Sequence, residues 1–212
     1  MIEVEIIEHK KIAADVFEIR FPKVFSFKAG QVINLFVNGL PPRMYSIVSG
    51  ESDNYLAILF DVKPTGLVTP ILGNMTKGDR LNISRPFGNF KGTPEPAFWI
   101  ATGTGIAPFY SMVRSGQGMN KTLIHGSRKI DSFYYHEDFL QVLGDNYIRC
   151  CSLETAEGLF AGRLTQYIKA LEFLPPTQKY YLCGSAEMVV EIRNILISRN
   201  IPFTNIVAEI YF

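Results

Sequence analysis

Residues 100–113 read IATGTGIAPFYSMV, an apolar segment followed by a glycine turn and the start of a helix. The pattern predicts a buried strand, then a helix from about residue 106 to residue 114. Gly103 and Gly105 permit close backbone approach, so amides at the helix N-terminus can face a pyrophosphate. Pro108 falls in the first helical turn, where its missing N–H costs little. It also replaces the third glycine of G-x-G-x-x-G, so this stretch alone fits a nucleotide loop and an ordinary strand–helix turn equally well.

Downstream of residue 94, apolar strands alternate with helical patterns. Such alternation is typical of a doubly wound α/β domain with a parallel sheet and helices on both faces. The predicted strands are AFWIAT, KTLIHGS, YIRCCSL and KYYLCGS, and the later helices lie at residues 135–143, in LTQYIKALEF and in AEMVVEIRNILISRN.

Upstream, the first ninety residues consist of short alternating strands separated by Gly, Pro, Asn and Asp. Strands at this spacing predict an antiparallel β-barrel. One short helix is expected within TGLVTPILGN, with Thr65 as its N-cap and Gly73 near its end. Gly92, Pro94 and Pro96 form a credible linker. The sequence therefore predicts two domains, a barrel at 1–93 and an α/β nucleotide-binding domain at 94–212.

The bulk composition is that of a globular protein. Lys+Arg 21 against Asp+Glu 20 gives a net charge of +1, which argues against nucleic acid or an anionic membrane as the main partner. The chain has no signal-peptide pattern and no apolar run long enough to span a bilayer. Its three cysteines, Cys150, Cys151 and Cys183, fit neither a disulfide framework nor a zinc site. We expect a soluble, cytoplasmic protein without a structural metal.

Three further stretches carry chemistry. In PPRMYSI, Arg43 suits a phosphate and Tyr45 lies on the same strand face, while Ser46 faces the other way. In PTGLVTPIL, the first turn of the short helix offers free amides, and Thr69 adds a hydroxyl. In YYLCGS, Cys183 ends a strand at the carboxyl edge of the sheet, where α/β folds bind ligands. Taken singly, each stretch has an ordinary structural explanation: a surface arginine, a capped helix or a buried thiol.

Together and in this order, these stretches resemble the ferredoxin/flavodoxin–NADP(+) reductase family of FAD enzymes. RMYS resembles its R-x-Y-S flavin motif, GLVT its flavin-phosphate motif, and KGDRLNISRPFGNF the barrel strand and turn that follow. ATGTGIAP resembles its nicotinamide nucleotide loop, LCG its C-G motif, and AEIYF its terminal E-x-Y with one extra aromatic. The resemblance covers essentially the whole chain.

The resemblance implies an FAD site in the barrel. Arg43 would pair with the pyrophosphate, Tyr45 would lie against one flavin face, and Ser46 would hydrogen-bond the flavin near N5. Met44 belongs to the same motif. The helix amides would hold the diphosphate, through Gly66, Leu67, Val68 and Thr69.

The resemblance also implies a nicotinamide site in the α/β domain. The nucleotide would be seated by Thr102, Gly103, Thr104 and Gly105. Cys183, with Gly184 in the same motif, and Glu209 would border the pocket that the nicotinamide enters. Tyr211 would stack on the second flavin face, and Phe212 would pack on the adenine or close the pocket. The residues placed nearest the hydride transfer are Ser46, Cys183, Glu209 and Tyr211.

The choice between NADP(H) and NAD(H) depends on cations for the 2′-phosphate. Arg128 and Arg163 match positions where bacterial members of the family place arginines. Those members commonly carry a Ser-Arg pair where this chain has Ser152-Leu153. With two of three cations present, we expect a weakened preference for NADP(H), and NAD(H) stays possible.

The resulting hypothesis is a flavoprotein that passes hydride from NADPH to FAD and single electrons to ferredoxin or flavodoxin, or the reverse. One alternative is an NADH-dependent reductase component that supplies an oxygenase or another electron-transfer complex. A second is a non-catalytic flavin-binding subunit of a larger assembly. The chain has no four-cysteine cluster motif, so an iron–sulfur centre would have to lie on a partner. The acceptor, the direction of electron flow and the oligomeric state are not readable from the sequence.

Overall fold

The computed structural model of the chain describes residues 1–37 and 39–211, the last of these in its backbone alone. The chain divides into two compact units. The first comprises Met1–Gly92 together with Ala107–Ser115, and the second comprises Thr93–Ile106 and the residues from Gly116 onward.

The first unit is built from antiparallel strands in two sheets, as the short alternating segments predict. One sheet has the order β1-β7-β4-β5 and the other the order β2-β3-β6. Their inward side chains form one apolar cluster that includes Ile33, Ile58 and Phe60. The strands are β1 (Ile2–Glu5), β2 (Glu8–Ala13), β3 (Val16–Pro22), β4 (Val32–Phe36), β5 (Arg43–Ser46), β6 (Tyr55–Asp61) and β7 (Arg80–Ile83). The helices are α1 (Thr69–Asn74) and α2 (Ala107–Arg114).

The start of α1 differs from the sequence expectation. The helix begins at Thr69 with Val68 as its N-cap residue, so the prediction that Thr65 caps it is wrong. The cause is a tight turn before the helix, in which the Gly66 amide donates to the Lys63 carbonyl at 2.8 Å. Gly66, Leu67 and Val68 therefore lie in the loop that leads into α1 and not in its first turn.

The second unit contains the predicted parallel sheet. Its six strands follow the order β11-β10-β9-β8-β12-β13, and every adjacent pair is parallel. The strands are β8 (Ala97–Thr102), β9 (Lys121–Ser127), β10 (Tyr147–Cys151), β11 (Leu159–Ala161), β12 (Lys179–Ser185) and β13 (Ile206–Tyr211). The helices are α3 (His136–Leu143), α4 (Leu164–Ala170) and α5 (Ala186–Ser198).

Helices cover both faces of this sheet. Ile124 and Leu182 face the side on which α4 and α5 pack, and they share one apolar cluster with those helices. The next residue along β9 points to the opposite face, where Phe139 of α3 packs on Tyr147 with ring centroids 5.5 Å apart. Over the described residues, none of the helices combines the length and apolar character that crossing a membrane requires.

Candidate flavin and nicotinamide sites

Strand β5 presents the basic and aromatic side chains of the flavin motif on one side. Arg43 and Tyr45 pair with Leu35 and Ile33 of β4, so they share a strand face, and the intervening Met44 points away. The guanidinium of Arg43 is exposed, and within the described part of the chain it makes no hydrogen bond or ion pair. A permanently charged guanidinium without a partner can bind an anionic pyrophosphate through its parallel N–H donors.

Tyr45 is half-buried beside the barrel core. Its ring meets Phe60 edge-on, with centroids 6.4 Å apart and planes at 74°. Burial raises the pKa of Tyr45 to about 12, with Asp61 adding to the shift and Arg43 opposing it. The phenol is therefore neutral at physiological pH and offers an uncharged ring to a flat ligand.

Ser46 occupies the other face of β5 and is almost fully buried. It follows Tyr45 at the end of the strand and pairs with Val32. Its burial means that the hydroxyl is fixed within the fold.

The loop before α1 offers three backbone donors. The amides of Leu67, Val68 and Thr69 donate to no group among the described residues. The loop is fixed from within, because the Thr69 hydroxyl accepts the Lys63 amide at 3.0 Å. Consecutive free amides in a rigid turn suit a phosphate oxygen, so this loop fits the diphosphate of a flavin nucleotide.

In the second unit, the glycine turn after β8 is a single 3-10 turn, Gly103–Ile106, which leads directly into α2. We call residues 102–106 the nucleotide loop. Gly103 has a φ of +56°, and nothing lies within 4 Å of the place where a Cβ would be. The nucleotide loop is therefore open at Gly103, where a ligand can approach the backbone closely.

Gly105 and Gly184 are close-packing positions. A Cβ on Gly105 would lie 2.4 Å from the Cys183 carbonyl oxygen. A Cβ on Gly184, whose φ is +153°, would lie 2.3 Å from Thr102 Oγ1. The nucleotide loop and the C-G motif are thus packed against each other at the carboxyl edge of β8 and β12, where α/β folds bind ligands.

Strand β13 brings the C-terminal motif to the same edge. Glu209 pairs with Cys183, and Tyr211 pairs with Ser185. Cys183 is fully buried, and Glu209 is half-buried. The side chain of Tyr211 and all of Phe212 lie outside the described residues, so their predicted contacts with a flavin stay predictions.

A second feature of this unit is a pocket of about 470 Å³ at the carboxyl ends of β9, β10 and β11. Its lining contains both arginines singled out from the sequence. It consists of Arg128, Ser152, Leu153, Gly162, Arg163 and Gln166.

The two positive charges of this pocket have no anionic partner among the described residues. Arg128 and Arg163 are exposed, and neither guanidinium makes an ion pair or hydrogen bond within the described chain. Leu153, where the family pattern has a third cation, is 70% exposed on the pocket wall. Sequence reasoning missed Gln166, whose Oε1 accepts the Arg163 amide at 2.8 Å. Its position three residues after the helix N-cap is the signal that could have revealed it.

The described residues contain no candidate metal site of three or more ligands. Across residues 1–37 and 39–211, no three His, Cys, Asp or Glu side chains converge in a way that could hold a metal ion.

Comparison with known proteins supports both halves of this description. A family model described as the oxidoreductase NAD-binding domain matches residues 99–194. The probable electron transfer subunit of dihydroorotate dehydrogenase B (NAD(+)) from Pyrococcus abyssi is 28% identical over 206 residues, which cover 95% of this chain and 75% of that protein. The ferredoxin–NADP reductase of Pseudomonas aeruginosa is 28% identical over 201 residues, covering 80% of this chain and 78% of that protein.

The fold has a solved counterpart over its whole length. The crystal structure of a ferredoxin NADP+ reductase from Neisseria gonorrhoeae with bound FAD and NADP matches with a TM-score of 0.87 at 21% identity. The match covers 100% of this chain and 98% of that one.

An antiparallel unit with a flavin motif and a parallel unit with a nicotinamide nucleotide loop define an FAD- and nicotinamide-dependent electron-transfer oxidoreductase. Within that class, the matching NAD-binding domain model and the relatives support the ferredoxin–NADP reductase family of FAD-containing proteins. The fold predicted from the sequence motifs is confirmed, and the comparisons support the predicted family.

Proposed function

We propose that this protein is a cytoplasmic NADPH-dependent reductase that loads single electrons from its flavin onto ferredoxin or flavodoxin, or runs the reverse reaction. The observation that carries the NADPH assignment is the pair of unengaged guanidiniums, Arg128 and Arg163, on one pocket. A cytoplasmic setting is supported by three free cysteines, all buried. The carrier is inferred from relatives such as the Pseudomonas aeruginosa reductase, which is named for ferredoxin.

The charge of the 2′-phosphate is opposite to that of the pocket. A 2′-phosphate carries one to two negative charges, and Arg binds phosphate oxygens through two parallel N–H donors. Two such forks without a carboxylate partner leave the pocket positive. NADH lacks the 2′-phosphate and would leave both guanidiniums without an anion, so the pocket favours NADPH.

The flavin residues have separate roles in this proposal. Arg43 and the amides of Leu67, Val68 and Thr69 bind the pyrophosphate, and Tyr45 supports one face of the ring system. The bound cofactors supply hydride transfer and the change from two-electron to one-electron chemistry. The protein orients the reacting partners and excludes water around them.

A second candidate is an NADH-dependent electron-transfer subunit of a larger complex. Leu153 favours it, because this exposed apolar side chain stands where a third cation would complete the 2′-phosphate site. The archaeal relative, named as an NAD(+)-linked electron transfer subunit, favours it too.

One experiment separates the two candidates. Purified yellow protein is mixed anaerobically with NADPH or with NADH, and the loss of the oxidised flavin band is followed by stopped flow. We expect NADPH to reduce the flavin at lower concentration than NADH. Arg128→Ala and Arg163→Ala should each raise the NADPH concentration for half-maximal reduction by about ten- to a hundredfold, the equivalent of one charged hydrogen bond of about 1.5–3 kcal/mol, and leave NADH unaffected.

Arg193→Ala is the matched control, because Arg193 lies on α5 and does not line the pocket. If both pocket variants keep the NADPH dependence of the parent protein, the 2′-phosphate assignment is wrong. Equal or faster reduction by NADH in the parent would favour the second candidate. Reduction by neither nucleotide would favour a non-catalytic flavin-binding subunit.

Leu153→Arg tests the same pocket by gain of function. The new guanidinium would stand on the pocket wall beside two existing cations. We expect the preference for NADPH over NADH to rise by about tenfold. An unchanged ratio would mean that the 2′-phosphate does not lie in this pocket.

A further inference from the structure

Helix α2 is held at its C-terminal end by an ion pair within the first unit. Arg114 donates from Nε and Nη2 to the two carboxylate oxygens of Asp53, at 2.9 and 2.8 Å. The same carboxylate accepts the Gly50 amide at 2.7 Å, which fixes its orientation. The pair is largely shielded from solvent, with 33% of the Arg114 side chain and 16% of the Asp53 side chain exposed.

Ser111 of α2 and Ser115, the residue directly after the helix, reinforce the attachment. The buried Ser111 hydroxyl donates to the Ser49 carbonyl at 2.7 Å. The Ser115 hydroxyl accepts the Glu51 amide at 2.9 Å and donates to the Ser111 carbonyl at 2.7 Å. We call these contacts, with the Asp53–Arg114 pair, the α2 clamp.

The clamp leaves no space between the loop at residues 49–53 and the helix end. A Cβ on Gly50 would lie 2.9 Å from the Arg114 carbonyl oxygen. Burial pushes the pKa of Asp53 upward, but the hydrogen bonds from Arg114 and the Gly50 amide outweigh it, so this pKa lies below its usual value. The carboxylate is therefore charged and paired throughout the physiological range.

The α2 clamp matters for the nucleotide loop because α2 follows that loop directly in the chain. The helix starts at Ala107, directly after the 3-10 turn Gly103–Ile106. Within the second unit, that turn packs closely against β12, because a Cβ on Gly105 would lie only 2.4 Å from the Cys183 carbonyl oxygen. The C-terminal end of the nucleotide loop therefore packs against β12 at Gly105 and continues without a break into the clamped helix after Ile106.

We propose that Asp53 and Arg114 are positioning residues that act through α2 to hold the C-terminal end of the nucleotide loop. The inference rests on the proposed function, which makes this loop the seat of the nicotinamide nucleotide. Neither residue belongs to the nucleotide loop or to the 470 Å³ pocket, so neither is a catalytic residue. Loosening the clamp displaces the loop while the pocket with Arg128 and Arg163 stays intact. Because misplacement by about 1 Å can cost a hundredfold in rate, the effect falls on the reaction step and not on affinity.

The test uses three variants of the flavin-loaded protein. Asp53→Asn keeps the size of the side chain and removes its charge. Gly50→Ala leaves the ion pair in place and forces the loop away from the helix end. Arg80→Ala is the matched control, because Arg80 forms an exposed ion pair with Glu3 in the same unit.

The first readout needs no nucleotide. Hydrogen–deuterium exchange of peptides covering residues 102–106 should become at least about threefold faster in Asp53→Asn and Gly50→Ala, and stay unchanged in Arg80→Ala. Unchanged exchange in both clamp variants overturns the proposal, whatever the protein's activity.

The second readout splits binding from reaction. At saturating nucleotide, flavin reduction should slow by about tenfold in both clamp variants, with FAD content and the half-saturating nucleotide concentration within twofold of the parent. A rise in the half-saturating concentration at an unchanged limiting rate would overturn the proposal. If the parent protein is reduced by neither nucleotide, the proposed function fails, and the exchange readout alone decides on the clamp.

Discussion

Two features require glycine at position 184. Its backbone conformation would strain a residue with a side chain, and its surroundings leave no room for a Cβ. Its φ of +153° lies outside the usual range of L-residues, and a Cβ would meet Thr102 Oγ1 at 2.3 Å. Thr102 is the last residue of β8, so an added methyl group would push apart two neighbouring strands of the parallel sheet. The requirement for glycine therefore comes from the protein's own packing, before any ligand is considered.

Gly184→Ala should consequently destabilise the second unit by about 2–4 kcal/mol, the sum of backbone strain and overpacking. It should also weaken nicotinamide binding, because Thr102 belongs to the nucleotide loop. Urea unfolding followed by tryptophan fluorescence measures the first effect, since Trp99, the single tryptophan of the chain, is fully buried in this unit.

Gly116→Ala is the control for strain alone. Gly116 has a φ of +77° and nothing within 4 Å of its Cβ position, so it should cost only about 1 kcal/mol. Equal losses in the two variants would show that the contact with Thr102 does not matter.

At the residue scale, the sequence indicated which residues matter better than it indicated why the structure requires them. Arg128 and Arg163 were selected by their positions in the chain, and the fold brings both onto one pocket. The sequence suggests Gly105 as a point of ligand approach, but a Cβ there would lie 2.4 Å from the Cys183 carbonyl oxygen, so the glycine is required by packing within the protein. Contacts between residues nearly eighty positions apart have no signature in a single sequence.

At the scale of elements, the sequence predicted the strands with strong periodicity and did not predict the short elements correctly. The segments KTLIHGS and KYYLCGS match β9 and β12 residue for residue. The three-residue strand β11 is too short to show an alternation, and it was not predicted. The start of α1 was placed too early because Thr65 looks like a cap, whereas Gly66 closes a turn onto Lys63.

Strand β13 carries the prediction that belongs to this scale. Its pairing with β12 runs from Ile206 to Tyr211, so deleting residues 211–212 removes only the last pair of the register. The flavin motif lies in the first unit, and we expect FAD content to be unchanged. If the family resemblance holds at this position, the Tyr211 ring would compete with the nicotinamide for one flavin face. Its loss should therefore tighten binding of oxidised nicotinamide nucleotide by about three- to tenfold, the equivalent of one aromatic contact.

A titration followed by the flavin absorption spectrum measures this affinity. Deleting residue 212 alone separates the contribution of Phe212 from that of Tyr211. An affinity equal to that of the full chain after the double deletion would mean that β13 ends in an ordinary structural strand.

At the scale of the whole molecule, the net charge hides a local concentration of positive charge. The net charge is +1, yet the exposed guanidiniums of Arg128 and Arg163 share one pocket without a carboxylate partner in the described chain. Composition argues against nucleic acid as the main partner, but it could not reveal this pocket, because the fold concentrates the charge there. The two-unit organisation, in contrast, was visible in the change from period-two strands to strand–helix alternation.

The response of the molecule to acid depends on a buried histidine. His125 of β9 is fully buried, its Nδ1 lies 3.0 Å from the Tyr147 hydroxyl, and among the described residues its Nε2 has no partner. Burial, aided by the charge of Arg149, lowers the pKa of His125 to about 3. The unfolded chain, with a histidine pKa of about 6.5, binds the proton more readily than the folded one. The contribution to stability is therefore fully present above pH 6.5 and is lost as the pH falls below it.

Between pH 7.5 and 5.5, this linkage should cost the second unit about 1.4 kcal/mol of unfolding free energy. His125→Gln keeps a hydrogen-bonding group beside Tyr147 and removes the titration, so most of that loss should disappear. Carboxylates such as Asp53, whose pKa is lowered, lose their contribution only below about pH 4 and do not interfere. Urea unfolding at the two pH values, followed by Trp99 fluorescence, measures the difference. An equal loss in the parent and the variant would mean that His125 takes up its proton in the folded state without opening the unit.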